Sequence, residues 1–233
     1  MFIYTLLQQK WMRWWIVVCP MVMVFTYAIL LYLPATEHYA LRLRGENRPI
    51  EMLGFLGLFT AACCGAVATW KARRTSAPRY VKIFFRLFTL WAFITAMEEI
   101  AWGQWFISFE TPESIAAINE QNEMTLHNLG PFQGRSEFLR VAFGLGGCIG
   151  VALGRRPFFR PIAPPMLLLP WFITILCCAI PDLYVDFYTF GEYPDWFINK
   201  FAEFVEMMIG LVAVLYIFLK TDPVLRVSEV APS

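Results

Sequence analysis

The sequence predicts an all-α, polytopic membrane helix bundle, and three observations carry that prediction. Hydrophobic residues make up 58% of the 233-residue chain and charged residues only 16%, with a mean hydropathy of +0.54. Soluble domains usually hold about 45–50% apolar and about 25% charged residues. Six stretches reach or approach the roughly 20 apolar residues that a spanning helix needs. The connections between them are short, so residues 1–233 read as a single transmembrane domain with no room for a soluble one. The same composition excludes disorder, a collagen-like fibre and a disulfide-stapled module. A net charge of +1 gives no reason to propose nucleic acid as a partner.

The elements follow in order. Trp14–Leu33 is too long for a signal peptide and lacks a small-residue cleavage site, so it reads as the first span. Glu51–Trp70 and Phe84–Phe109 are the second and third. In the connection that follows, Thr111-Pro112-Glu113 reads as a helix start, with Pro at the first helical position. A short helix on the outer face is therefore expected between the third and fourth spans. The fourth, Phe138–Gly154, carries Gly144, Gly146, Gly147 and Gly150, which predicts close helix packing. The fifth, Pro164–Ile180, carries Pro165 and Pro170 and is bounded by Pro181, which predicts a kink. Phe197–Leu219 is the sixth. All six cysteines fall within these stretches, at spacings of neither a zinc ribbon nor a redox motif, and read as packing residues.

Lys and Arg in the short connections set the orientation. Twelve, among them Lys71, Arg73, Arg74, Arg155, Arg156 and Arg160, fall on one side. Six (Arg42, Arg44, Arg48, Arg135, Arg140 and Lys200) fall on the other. Both termini are thus expected to be cytoplasmic.

Ionisable groups at membrane depth are costly and mark a site by default. Glu98 and Glu99 lie inside the third span, in the run from Glu98 to Trp105, and Glu203 and Glu206 lie three apart in the sixth, on one helix face. At about 1.5 Å of rise per residue, Glu98 and Glu99 lie roughly 18–20 Å above Arg86. On the same scale Glu206 and Glu203 lie roughly 21 and 25 Å above Lys220. The two pairs reach one level, which predicts that the third and sixth helices pack together and pool their carboxylates. In the third connection, Glu120, Glu123 and His127 share a face if that segment is helical. His127 and His38 are the two histidines, and His127 reads as either a structural hydrogen-bonding residue or a ligand. Carboxylates with imidazole suit a divalent metal: zinc, manganese, iron or magnesium. The expected metal set is Glu98, Glu99, Glu123, His127, Glu203 and Glu206, with Glu99, Glu123 and His127 as the catalytic candidates. Asp182, Asp186, Glu192 and Asp195 read as a solvated acidic lip, and Arg42, Arg44, Arg48, Arg135 and Arg140 would neutralise some of the acids or hold an anionic head group.

The run Glu98-Glu99-x-x-Trp102-Gly103-Gln104, followed by Asn119-x-Gln121-x-Glu123-x-x-Leu126-His127-Asn128, resembles a paired pattern in uncharacterised bacterial integral membrane proteins. The resemblance covers about thirty residues, implies a multi-pass protein of the bacterial cytoplasmic (inner) membrane and brings no activity with it. Alkaline ceramidase-like hydrolases use a three-histidine zinc site, which His38 and His127 cannot supply alone. Three functions are therefore expected as alternatives. The first is a metal-dependent hydrolase or transferase acting on a lipid or lipid-linked substrate. The second is a structural or accessory subunit with a membrane-protein partner. The third, an ion- or proton-coupled transporter, is opposed by the lack of an internal repeat and of acids in the cytoplasmic half.

Overall fold

The computed structural model describes residues 9–45, 47–116, 125 and 136–226, and among these it contains helices and turns but no strand. The helices are α1 (Lys10–Tyr32), α2 (Glu37–Leu43), α3 (Pro49–Ala72), α4 (Arg79–Glu99), α5 (Gln104–Ile107), α6 (Glu113–Ala116), α7 (Ser136–Leu153), α8 (Leu169–Val185), α9 (Glu192–Asn199) and α10 (Ala202–Arg226). Six, namely α1, α3, α4, α7, α8 and α10 (the last together with α9), are long and apolar enough to cross a membrane. The all-α bundle is therefore observed.

Several boundaries follow from proline chemistry. Pro49 opens α3, Pro78 precedes α4 and Pro170 sits in the first turn of α8, where a missing N–H costs nothing. Inside helices stand Pro20, buried in α1, and Pro181 in α8. So Pro165 and Pro170 set the start of the fifth span, and Pro181 alone of the three lies within it. The expected short helix after Pro112 begins at Glu113, with Ala116 N–H donating to the Pro112 carbonyl at 2.9 Å.

The outer surface of the bundle is apolar. Phe25, Leu87, Leu90, Leu139 and Ile149 are all about half exposed or more. Apolar patches this extensive on a monomer mark an interaction surface, and here lipid supplies it. The interior centres on α10, whose Val205, Met208, Val212 and Ile217 are fully enclosed. It packs chiefly on α3, which in turn packs on α4, while α7 and α8 form a second closely packed pair. α1 is held to α8, where Trp171 Nε1–H donates to the Ile16 carbonyl at 2.7 Å.

Glycine makes the α3–α10 contact possible. A Cβ placed on Gly57 would lie 2.7 Å from the Gly210 carbonyl carbon, and one on Gly210 would lie 2.6 Å from the Gly54 oxygen. The two backbones therefore touch directly. In α7, Gly144 and Gly147 face Leu176 and Phe172 of α8 with no room for a side chain, as the glycine-rich span predicts. Gly146 has nothing within 4 Å of a Cβ and faces open space.

The expected pairing of the third and sixth spans needs correcting. Their backbones are bridged by α3, and α4 meets α10 through rings such as Phe88 and Tyr216, with centroids 5.1 Å apart. Two small residues of α3, Gly54 and Gly57, let it approach more closely than the larger side chains of α4 would. The two ends of the bundle differ in charge. One, the basic end, carries Arg73, Arg74, Arg155, Arg156 and Arg160; the other, the acidic end, carries the carboxylates described next.

Candidate functional site

The third span stops earlier than its hydropathy suggests. α4 ends at Glu99, and the next residues turn into left-handed backbone at Ala101 (φ 44°), Trp102 (φ 54°) and Gly103 (φ 86°). For two side-chain-bearing residues in succession this conformation costs of order 1 kcal/mol or more each, and such strain concentrates at functional sites. It closes a ring: Trp102 Nε1–H donates to Glu98 Oε1 at 2.5 Å, four residues back. Gln104 Nε2 then reaches Thr111 Oγ1 at 2.9 Å. The segment that carries the Glu-Glu-x-x-Trp-Gly-Gln pattern is thus a strained break beyond the end of a span, not helix throughout.

Arg140 holds the centre of the acidic end. It projects from the first turns of α7, is 4% exposed, and engages three carboxylates. Nη1 meets Glu206 of α10 at 2.7 Å, and Nη2 meets Asp182 of α8 at 2.6 Å and Glu137 of its own helix at 2.9 Å. Burying one charge is tolerable only when it is paired and hydrogen-bonded, and the guanidinium's planar fork supplies both. The arrangement ties three membrane helices at one point. Arg140 Nε and Glu137 Oε2, both buried, have no hydrogen-bond partner among the described residues.

Glu203 is held separately. Arg44, just past α2, meets its Oε1 at 2.9 Å, and the Gly45 N–H donates to its Oε2 at 2.6 Å. Gly45 has φ 102°, a conformation that favours glycine and aims that N–H at the carboxylate. Glu203 also lies in the first turn of α10, where the helix dipole favours an anion. Although Glu203 and Glu206 share a helix face as their spacing predicts, two different arginines claim them.

Glu99 differs from these. A Cβ on Gly54 would lie 3.6 Å from Glu99 Oε2 and 3.4 Å from the Met207 Cα, so the carboxyl lies in the slot that Gly54 leaves between α3 and α10. Glu206, Glu51, Glu203 and Glu98 all act on it electrostatically. Among the described residues no group donates a hydrogen bond to it and no cation pairs with it. Its position at the C-terminal end of α4 also places it where a helix dipole disfavours negative charge.

Glu98, Glu99, Glu203 and Glu206 therefore stand at one end of the bundle, as the depth estimate predicts. Glu123 and His127, along with Glu120 and Arg135, lie outside the described residues. Among the described residues no group of three His, Cys, Asp or Glu is arranged to hold a metal ion. Glu203 and Glu206 face guanidiniums instead. Asp182 corrects the expectation of a solvated lip: it is 5% exposed and paired to Arg140. Asp186 and Glu192 remain exposed, and Asp195 secures its own turn by accepting from Phe190 N–H at 2.9 Å. Glu137 was not among the expected residues. Its signal in the sequence is the Glu137-x-x-Arg140 spacing at the start of an apolar segment, a pair one helical turn apart.

Compared with protein-family models, with curated proteins and with solved structures, the chain matches none.

Proposed function

We propose that the acidic end is the outward-facing site of a hydrolase or transferase acting on a lipid or lipid-linked substrate in the bacterial cytoplasmic membrane, with the basic end and both termini cytoplasmic. The observation that carries the reading is Glu99: a carboxyl without hydrogen-bond donor or cation among the described residues, beside other acids and next to a strained backbone break. A carboxyl so placed suits general acid–base work, because its surroundings do not fix it as an anion. In this reading Glu99 takes a proton from an attacking hydroxyl or water and returns it to the leaving group. Arg140 and Arg44 hold the neighbouring acids in place. Glu123 and His127 complete the proposed catalytic set.

The described carboxylates do not by themselves fit a metal. A zinc, manganese, iron or magnesium ion enters the proposal only through Glu99 with Glu123 and His127, and would acidify a water there if bound. The test reconstitutes wild-type and Glu99→Gln protein into vesicles of bacterial total lipid extract, with lipid products read by mass spectrometry and metal content measured alongside. Loss of a general acid or base is expected to slow turnover by about 10²–10⁴-fold. Wild-type protein that leaves the extract unchanged, or a variant that matches it, overturns the reading.

One observation favours the structural-subunit alternative. The Arg140 cluster joins α7, α8 and α10, which is what a purely architectural ion-pair network does. A partner that co-purifies at fixed stoichiometry, with no lipid conversion, would support it. Transport gains no such support, since the cavity in the basic half is lined almost wholly by apolar groups and offers no polar path.

A further inference from the structure

The basic half of the bundle contains a cavity of about 370 Å³. Phe88 of α4, Phe143, Gly146 and Gly150 of α7, Tyr216 of α10 and Phe159 of the α7–α8 connection line it. The one hydroxyl among these, Tyr216 Oη, already donates to the Ile162 carbonyl at 2.6 Å. Its size lies within the roughly 300–1,000 Å³ of small-molecule sites, but it lacks the convergent polar groups that orient a polar ligand. α4 and α7 barely touch beyond the stacked pair Trp91 and Phe143, centroids 5.5 Å apart, and Gly146 of α7, which lines the cavity, is exposed on the outer surface of the bundle, so the cavity is open on the lipid-facing side. Voids of this size are few in packed interiors, and an apolar space open to lipid is one an apolar chain can enter.

Charge identifies which lipid. The α7–α8 connection, which lines one end of the cavity through Phe159 and Ile162, also carries Arg155, Arg156 and Arg160, all exposed. None of these guanidiniums has an ion-pair partner among the described residues. Lys220 bonds the Arg160 carbonyl at 2.7 Å and adds a fourth cation beside the same connection. An acyl chain gains little by leaving other chains for an apolar pocket, since the bilayer core is equally apolar. Selection must come from the head group, and basic pockets between membrane helices select anionic ones.

We propose that this cavity, together with Arg155, Arg156 and Arg160 on the connection that lines its end, is a binding site for an anionic phospholipid of the leaflet at the basic end, holding one acyl chain between α4 and α7. The site is separate from the carboxylates of the acidic end and does not depend on their function.

Gly146 provides the test. Gly146 lines the cavity and nothing lies within 4 Å of a Cβ built there, so Gly146→Leu adds a side chain to the cavity wall from a position where its first carbon meets no protein atom. Wild-type protein in micelles is mixed with phosphatidylglycerol or phosphatidylcholine of identical chains, each carrying a photoreactive group near the tail, and labelled peptides are mapped. Phosphatidylglycerol is expected to label the 143–164 segment at least several-fold more than phosphatidylcholine. Gly146→Leu should cut that labelling several-fold while melting at the wild-type temperature. Replacing Arg155, Arg156 and Arg160 together by Gln should equalise the two lipids. Equal labelling by both lipids in the wild type overturns the proposal, as does labelling in a folded Gly146→Leu protein that matches wild type. If Gly146→Leu melts early, the triple Gln variant decides: an undiminished preference for phosphatidylglycerol overturns the proposal.

Discussion

Arg140 shows how far one side chain organises the acidic end. Removing a partner from a buried ion cluster strands the opposite charges, typically at a cost of about 3–5 kcal/mol. Arg140→Met is therefore expected to destabilise the protein by about 3 kcal/mol, the lower part of that range, because Glu206 keeps 32% exposure and is partly solvated. Arg140→Lys should recover only part of the loss, since an ammonium cannot bond Glu206, Asp182 and Glu137 through one planar fork. Arg44→Gln, at a pair that is about a quarter exposed, should cost no more than about 1 kcal/mol. Unfolding of the purified protein in detergent would check the order; an Arg140→Met variant as stable as Arg44→Gln would show that the cluster carries no stability. The arginines and acids were visible in the sequence, and pairing between them was expected. Which acid each arginine takes was not visible, because that depends on helix rotation: Asp182 looks like a lip residue until α8 turns it toward α7. Glu99 was legible as an intramembrane acid, whereas the slot beside Gly54 that holds it required the α3–α10 contact.

At the scale of the helix, small residues decide which elements meet. Gly57 and Gly210 bring α3 and α10 to backbone contact, and each Cβ would fall under 3 Å from a backbone atom that cannot swing aside. Gly57→Ala should therefore separate the helices and cost about 1–3 kcal/mol, as overpacking does. Gly146→Ala, with open space around it, should instead be neutral or stabilising by up to about 1 kcal/mol through helix propensity. Melting temperatures of the two variants measured side by side check this, and an equal fall in both would refute the distinction. The contrast also holds within α7, where Gly144 and Gly147 are packed against α8 and Gly146 faces open space. The six spans are legible in the sequence because apolar runs of about 20 residues are hard to mistake. The end of α4 is not, because Trp102, Trp105, Phe106 and Ile107 continue the apolar run past Glu99, while the break lies in backbone conformation at Ala101 and Trp102. Hydropathy does not register a change of φ.

Across the whole molecule, the choice of helix neighbours was the least legible feature, and the physical reason is the solvent. In water a helix shows its buried face as an apolar stripe. In lipid both the packed face and the exposed face are apolar, so Leu58, which is enclosed, and Leu56, which is about half exposed, look alike in the sequence. Charge survives this loss of contrast, because Lys and Arg concentrate at one end of the bundle and carboxylates at the other. The positive-inside rule then gives a test of the proposed orientation. Cysteines at positions 19, 63, 64, 148, 177 and 178 are all unpaired, so a background with all six replaced by Ala or Ser breaks no disulfide. In that background Ser76→Cys places an exposed thiol between α3 and α4 at the basic end, and Tyr188→Cys places one between α8 and α9 at the acidic end. A membrane-impermeant maleimide added to intact cells should modify only the Tyr188→Cys variant, and permeabilisation should expose both. The opposite pattern would turn the bundle over. It would set Glu99 and its neighbours facing the cytoplasm and restrict any substrate of that site to the inner leaflet.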